Sequence, residues 1–280
     1  MNVKGIVIGI TFMLLFALPV NTTYFYEKVK ENNFMEIINN GLGKILYVGG
    51  SGPNNYTKIQ DAINDANDGD TVFVYSGIYN ESIILDKSID LMGECKERTI
   101  IIAQGKDGIN ITVGEAVVYN FTIKDVISPY LGIILYKTTK DIISHCDIYN
   151  SKDGIGLFFS HGNEILECSI STDGGGIMLW QSAFNKVKNC NVINTTNSMS
   201  LFGYLTYGNL ITNNNFLNNR WDPVFVNSLH NWWFHNYWDN WNMSIPKAIF
   251  GVNFIWNVQI PWIQFDWMPS LKPIEWWENE

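Results

Sequence analysis

The chain has 280 residues, is 46% hydrophobic and only 16% charged, and carries a formal net charge of -9. An acidic chain of this kind is not built for nucleic acid, whose binding rests on clustered Lys and Arg against phosphate. Its 14% aromatic content, with 11 Trp, excludes a disordered or collagen-like chain and fits one globular domain able to bury a core.

At the N-terminus Lys4 precedes an apolar run from Gly5 to Val20, and polar Asn21-Thr22-Thr23 follows. Charged, apolar, polar is the order of an export signal. Residues 1–20 are therefore expected to be a signal peptide. They are an N-terminal anchor if uncleaved, since no small-x-small site follows. The run is shorter than the roughly 20 residues that span a bilayer comfortably. A secreted or cell-surface location is expected, with membrane contact only through this segment if it stays attached. Seven N-x-S/T sequons, at Asn21, Asn55, Asn80, Asn110, Asn120, Asn194 and Asn242, are compatible with an exported surface.

Residues 21–45 read as a polar spacer. Ile45-Leu46-Tyr47-Val48 then reads as a short strand stopped by Gly49-Gly50-Ser51-Gly52-Pro53. Ile59, Ala62, Ile63 and Ala66 recur at helical spacing with Gly69 just beyond, which predicts an amphipathic helix over 57–68. From Thr71 onward the pattern becomes short Ile- and Val-rich runs separated by Asn, Gly and Asp, as in successive short strands.

An internal repeat orders these strands. Gly132, Gly154, Gly176 and Ser198 align at a shift of 22, as do Ile133, Ile155, Ile177 and Met199, and Leu135, Leu157, Leu179 and Leu201. Ile143, Ile165 and Val187 share the period, with Cys146, Cys168 and Cys190, and Ile148, Ile170 and Val192. Three short strands in 22 residues suit one turn of a parallel β-helix, whose turns stack at roughly 4.8 Å and bury their apolar faces only against one another. The expected fold is all-β: a single-stranded β-helix of about seven turns between Thr71 and Trp241, occupying 46–241 and capped by the 57–68 helix, with a Trp-rich extension over 242–280.

Four segments carry a resemblance: Tyr56-Thr57-Lys58-Ile59-Gln60-Asp61-Ala62-Ile63, Gly69-Asp70-Thr71-Val72-Phe73-Val74, Gly77-Ile78-Tyr79-Asn80-Glu81 and Ile89-Asp90-Leu91-Met92-Gly93. They resemble the first turns of the right-handed β-helix of pectin-lyase-like proteins. Asn236-Tyr237-Trp238-Asp239-Asn240-Trp241 is similar to the NosD-type repeat proteins of exported archaeal and bacterial chains. The tail around Ile260-Pro261-Trp262 looks like an extension on archaeal members. The resemblance implies a right-handed helix; its motifs are specific for fold and not for function.

Many proteins of this group act on acidic polysaccharides, so a lyase or hydrolase on uronate-containing polymers is one reading. The lyases use an Arg or Lys base beside carboxylates, but the only Arg residues here are Arg98 and Arg220. Of the hydrolase motif Gly-His-Gly only Ser160-His161-Gly162 is approached. The absent motifs lean away from an enzyme. Paired carboxylates for acid-base work would be drawn from Asp147, Asp153, Glu167 and Asp173. Cys146, Cys168 and Cys190, stacked in one column, read first as a buried ladder and alternatively as a disulfide or soft-metal site; the NosD likeness carries an association with copper handling. No cofactor is implied. Finally, Tyr136, Phe158, Trp180 and Phe202 repeat at 22 and face outward by strand alternation. That stripe can stack on sugar rings, or be covered by the tail, which with Trp221 to Trp241 holds ten of the eleven Trp. The expected function is an exported, non-catalytic module that contacts polysaccharide or cell-envelope partners.

Overall fold

The computed structural model describes residues 43–103, 105–255 and 258–275. The predicted signal or anchor and nearly all of the spacer lie outside the described residues. Within them, runs of three to six apolar residues are too short for helices and become strands, each hydrogen-bonded in parallel to its equivalent one turn away. Three ladders result. The first runs from Ile83–Leu85 to Lys247–Ile255, the second from Ile45–Val48 to Val258–Asp266, and the third from Gly77–Tyr79 to Tyr237–Trp238. The third is an 8-stranded sheet, while the first and second join through their last strands into one of 18.

This is a solenoid of about nine turns rather than the seven expected. The difference has two causes. Turns before the regular block are uneven, since Thr71 pairs with Asp90 and Asp90 with Val117, so they do not align at 22. In addition, the tail adds strands: Phe225 pairs with Gly251, Val226 with Val252, and Trp233 with Asp266.

The apolar columns point inward. Ile133, Ile155, Ile177 and Met199, with Leu135, Leu157, Leu179 and Leu201, are all buried. The glycine column marks a close approach between turns. A Cβ on Gly154 would lie 2.3 Å from the Gly176 carbonyl oxygen and 2.6 Å from Ile170 Cγ2, and one on Gly176 would lie 2.5 Å from the Ser198 oxygen. The corner from the second to the third ladder takes one residue in the left-handed region in six successive turns: Asn120, His145, Glu167, Asn189, Asn213 and His235. Asn adopts that conformation more readily than most residues, which accounts for part of its abundance.

Side-chain ladders serve the corner from the first to the second ladder. The Asn163 N–H and Nδ2 donate to Asn185 Oδ1 at 2.9 and 3.1 Å, Asn185 donates likewise to Asn209, and Asn209 to Asn231. Each Nδ2 also donates to a carbonyl of the preceding turn, as from Asn185 to Ser160 O at 3.0 Å. Alongside, the N–H of Thr138 donates to Ser160 Oγ and that of Ser160 to Ser182 Oγ. All these groups are buried, so each rung satisfies backbone that water cannot reach.

The helix forms over Ile59–Asp65 and buries Ile59, Ala62 and Ile63 against the first strands. No side chain of its own caps its start. Instead the Glu81 carboxylate accepts the N–H groups of Ile59 and Gln60, placing negative charge at the positive helix end. At the other end Lys87 Nζ donates to Asn64 O and Ala66 O. No helix among the described residues is long and apolar enough to cross a membrane.

Asp141 occupies the first rung of the Asn ladder. Its Oδ1 accepts the Ala116 N–H at 2.9 Å and its own N–H donates to Asn163 Oδ1. Its Oδ2 takes the place of the amide nitrogen and is buried without a partner; the Thr138 hydroxyl lies beside it without completing a hydrogen bond. Burial pushes the carboxyl up to about 6, against the pull of Thr138 and the Ala116 N–H. The folded state thus holds a proton that the unfolded chain releases near its ordinary value. The resulting stability is complete below about pH 4 and lost as pH rises through about 6. Asp141→Asn supplies the missing donor at every pH. It is expected to stabilise the fold by about 1–2 kcal/mol at pH 7.5 and by much less at pH 4.5, measured by thermal unfolding. An equal effect at both values would remove Asp141 as the titrating group.

Candidate functional site

Tyr136, Phe158, Trp180 and Phe202 are direct register partners on the outer face of the first ladder. Tyr136 and Trp180 are 42% and 46% exposed, and Phe158 and Phe202 are half-buried. Trp180 and Phe202 meet edge to face with centroids 6.1 Å apart. Just past the strands, exposed Phe159 turns back toward Tyr136 at 6.3 Å, and Phe184 meets Tyr207 at 5.1 Å. Lys137 Nζ lies 4.9 Å from the Tyr136 ring. The result is a broad aromatic shelf along the solenoid axis with polar groups at its margin, suited chemically to stacking on the apolar faces of sugar rings. The described part of the tail does not cover it. The strands Lys247–Ile255 and Val258–Asp266 stack on the end of the solenoid instead, and Trp262 and Trp267 are themselves exposed. Trp256 lies outside the described residues.

The four carboxylates fall at two corners. Asp147 begins the strand Asp147–Ser151 and pairs with Lys96 Nζ at 3.2 Å; Glu167 lies at the same corner one turn on, where its Oε2 meets His145 Nε2 at 2.9 Å. Burial raises the Asp147 carboxyl against the opposing pull of Lys96. Asp153 and Asp173 lie at the other end of the third-ladder strands. The Gly175 N–H donates to Asp153 Oδ1 at 2.6 Å, and the Asp173 N–H donates to Ser151 O. The carboxylates of Asp147, Glu167 and Asp153 are tied to structural partners, and the structure does not bring the four together.

Cys146, Cys168 and Cys190 stack in the core as free, buried thiols. Each donates to the carbonyl two residues back: Ser144, Leu166 and Lys188, at 3.3, 3.3 and 3.4 Å. Burial holds the Cys146 and Cys190 thiols well above their ordinary value, which favours the protonated form. Further along, the column changes residue type, since the Cys190 N–H donates to Asn214 Oδ1 and Asn214 donates in turn to Asn236. The thiols are thus rungs of the same ladder. Among the described residues, no group of three His, Cys, Asp or Glu side chains could hold a metal ion.

One cluster carries no recognisable motif in the sequence. Ser144 Oγ lies 2.7 Å from His145 Nδ1, His145 Nε2 meets Glu167, and Asn189 Nδ2 donates to Glu167 Oε1 at 3.3 Å. This is the order of a hydroxyl, a base and an orienting carboxylate. Two features stop it short of nucleophilic catalysis. Ser144 is buried, and the adjacent His145 N–H, which could otherwise stabilise an oxyanion, donates to Leu166 O at 3.2 Å. The signal for the cluster was the 22-residue stacking of the two corner residues, His145 over Glu167.

Residues 107–245 match the family model for the right handed beta helix region. The chain is a right-handed parallel β-helix. Its solved neighbours share that fold. Pectin methylesterase PemA from Erwinia chrysanthemi is 13% identical with a TM-score of 0.50, over 72% of this chain and 81% of that one. The polygalacturonase from Erwinia carotovora ssp. carotovora is 12% identical with a TM-score of 0.51, over 70% and 68%. The catalytic domain of GH87 alpha-1,3-glucanase, in complex with nigerose, is 18% identical with a TM-score of 0.53, over 70% and 39%. At these identities the likeness is one of fold. No curated protein matches the chain.

The thiol column of this β-helix has a direct chemical test. Cys95 is partly exposed and bonded to Glu97, whereas the other three thiols are sealed in the core. Ellman's reagent is expected to titrate one thiol promptly in the native protein and four after denaturation. Rapid labelling of two or more in the native state would show that the column opens.

Proposed function

We propose that this β-helix is an exported, non-catalytic module of the NosD-like kind that holds polysaccharide or another cell-envelope component on the outer face of its first ladder. The observation that carries the reading is the in-register stripe of exposed Tyr136 and Trp180 with half-buried Phe158 and Phe202. Four rings held at the spacing of a parallel sheet form a rigid platform. A saccharide chain lying along it loses little protein entropy on binding, because the rings are fixed by the turns beneath. The three neighbouring enzymes bear names of carbohydrate chemistry, which supports a saccharide over a protein ligand at the level of the fold. Export of the chain is supported by the charged-then-apolar start of the sequence, Lys4 followed by Gly5 to Val20.

Catalysis on uronate polymers has less support, because Asp147 and Glu167 are engaged with Lys96 and His145 at one corner while Asp153 and Asp173 lie at another. Copper handling has less support again, because the three thiols face the core and hydrogen-bond to carbonyls.

A panel of acidic and neutral polysaccharides, with binding read by affinity electrophoresis, is expected to yield at least one ligand. Trp180→Ala is expected to weaken it about tenfold with no change in unfolding temperature. Retention of no polysaccharide, or equal retention by Trp180→Ala, overturns the reading. Release of reducing ends or unsaturated products would replace it with the enzymatic one.

A further inference from the structure

The last two strands form a hairpin of unusual chemistry. Lys247–Ile255 pairs antiparallel with Val258–Asp266 over its whole length, from Lys247 opposite Asp266 to Ile255 opposite Val258. Between those ends, from Ala248 to Phe265, the sequence has no Asp, Glu, Lys or Arg. The two flanking charges are turned inward: Asp266 is buried, and buried Lys247 Nζ bonds to Asp222 Oδ2 and Asn240 Oδ1. The polar side chains Asn253 and Gln264 are buried as well. Apart from exposed Gln259 near the tip, the described side chains that face out are apolar. On one side of the hairpin Phe250 opposes Ile263, Ala248 opposes Phe265 and Val252 opposes Pro261, and Phe250, Ile263 and Phe265 are exposed. Exposed Trp267 and Met268 follow directly.

Only one short stretch of this hairpin rests on the solenoid in the first ladder, through Gly251 and Val252. The base of the hairpin closes the core through buried Ile249, Gln264 and Asp266, while exposed Phe250, Ile263 and Phe265 face away from it. An exposed apolar surface of this extent on a folded chain marks a docking face.

We infer that the hairpin seats this protein on a lipid bilayer, at the depth of the headgroups and the first acyl carbons. Several observations select that occupant. A strand of a second copy would have to add along Val258–Asp266, the free edge, where Pro261 offers no N–H. A saccharide needs hydrogen-bonding groups beside the aromatic rings, and the outward side of the hairpin offers almost none. A typical protein partner buries a rim of polar and charged groups around an apolar centre, whereas here the charge-free stretch is continuous. A bilayer interface requires neither, and Trp and Phe are suited to it. The backbone of the two strands is already paired across the hairpin, which limits the cost of leaving water. An apolar run at the start of the chain, Gly5 to Val20, is expected to bring the protein to a membrane in the first place.

The sign of the charge fixes what kind of surface. With a net charge of -9 the chain gains nothing from anionic lipid, so seating is apolar and favours neutral headgroups.

The test uses the full chain and large unilamellar vesicles of phosphatidylcholine with brominated acyl chains, read by Trp fluorescence. The first 42 residues contain no Trp, so quenching does not report their insertion. Quenching of wild-type emission is expected, and the triple substitution Phe250→Ser, Ile263→Ser and Phe265→Ser is expected to reduce it at least tenfold at equal lipid, even where the N-terminal run keeps the chain on the vesicles. The ring of Trp267 lies 5.3 Å from that of Phe265, and Trp267→Phe, which keeps the surface apolar, guards against misfolding: it is expected to retain vesicle binding while losing part of the quenched emission. Addition of phosphatidylserine is expected to leave quenching unchanged or lower it. Absence of quenching in vesicle-bound wild type, equal quenching by the triple variant, or stronger quenching with phosphatidylserine overturns the proposal. So does a solution dimer that the triple substitution dissociates, since the face would then belong to a second copy.

Discussion

Everything in this structure depends on hydrogen bonding along the solenoid axis between equivalent residues of successive turns. In the strands the backbone does this unaided, since parallel neighbours supply each other's partners. At the corners it does so only in part, as where the His145 N–H reaches Leu166 O. The chain bends, the carbonyls and N–H groups splay, and the core side is closed to water. The side chains of Asn163, Asn185, Asn209 and Asn231 fill that gap. Asn163, Asn185 and Asn209 each direct a backbone N–H and Nδ2 to the turn after and Nδ2 also to the turn before, and Asn231 ends the column with its Nδ2 on Ser228 Oγ and Thr206 O. The ladder has a direction. Its donors point toward the C-terminal turns, so the two ends need different chemistry. In the second column the last acceptor is Asp266, whose Oδ2 takes the Asn236 N–H, Asn236 Nδ2 and Trp238 Nε1, each at about 3 Å. A carboxylate, which only accepts, suits that end. The same residue type at the first rung, Asp141, is mismatched, since there a donor is wanted.

Much of this was legible in the sequence because stacking repeats residue types. Inward positions see the same surroundings in every turn, so Leu135, Leu157, Leu179 and Leu201 could be read as a core column from spacing alone. The polar ladders were harder to read. Insertions shift the spacing from 22 to 24 between Asn185 and Asn209, so a strict period loses them just where the rungs continue. The Cys column looked like a site because its residue type is rare, but Asn214 and Asn236 carry the same position onward. The tail has no period of its own, and the register of Phe225 with Gly251 and of Trp233 with Asp266 shows that it continues the ladders.

Function was less legible for a related physical reason. Outward positions are not constrained by packing from beneath, so alternation can place Tyr136, Phe158, Trp180 and Phe202 on a face without saying what lies over it. The His145–Glu167 contact was hidden because its partners are adjacent in space only through the stacking of turns, and the residues between them carry no common motif. The fold likewise gives the aromatic shelf its rigidity and leaves the choice of ligand to the surface residues.

The sameness of the rungs has a consequence for how such a chain varies. Asn163, Asn185 and Asn209 each present the same groups to the turn before and the turn after. Removing or duplicating one whole turn would bring a new pair of rungs together with every hydrogen bond remade, and would shorten or lengthen the aromatic shelf by one ring. The solenoid is in this sense a ruler graduated in turns. The span of its outer face can be adjusted by copying, without redesign of the core.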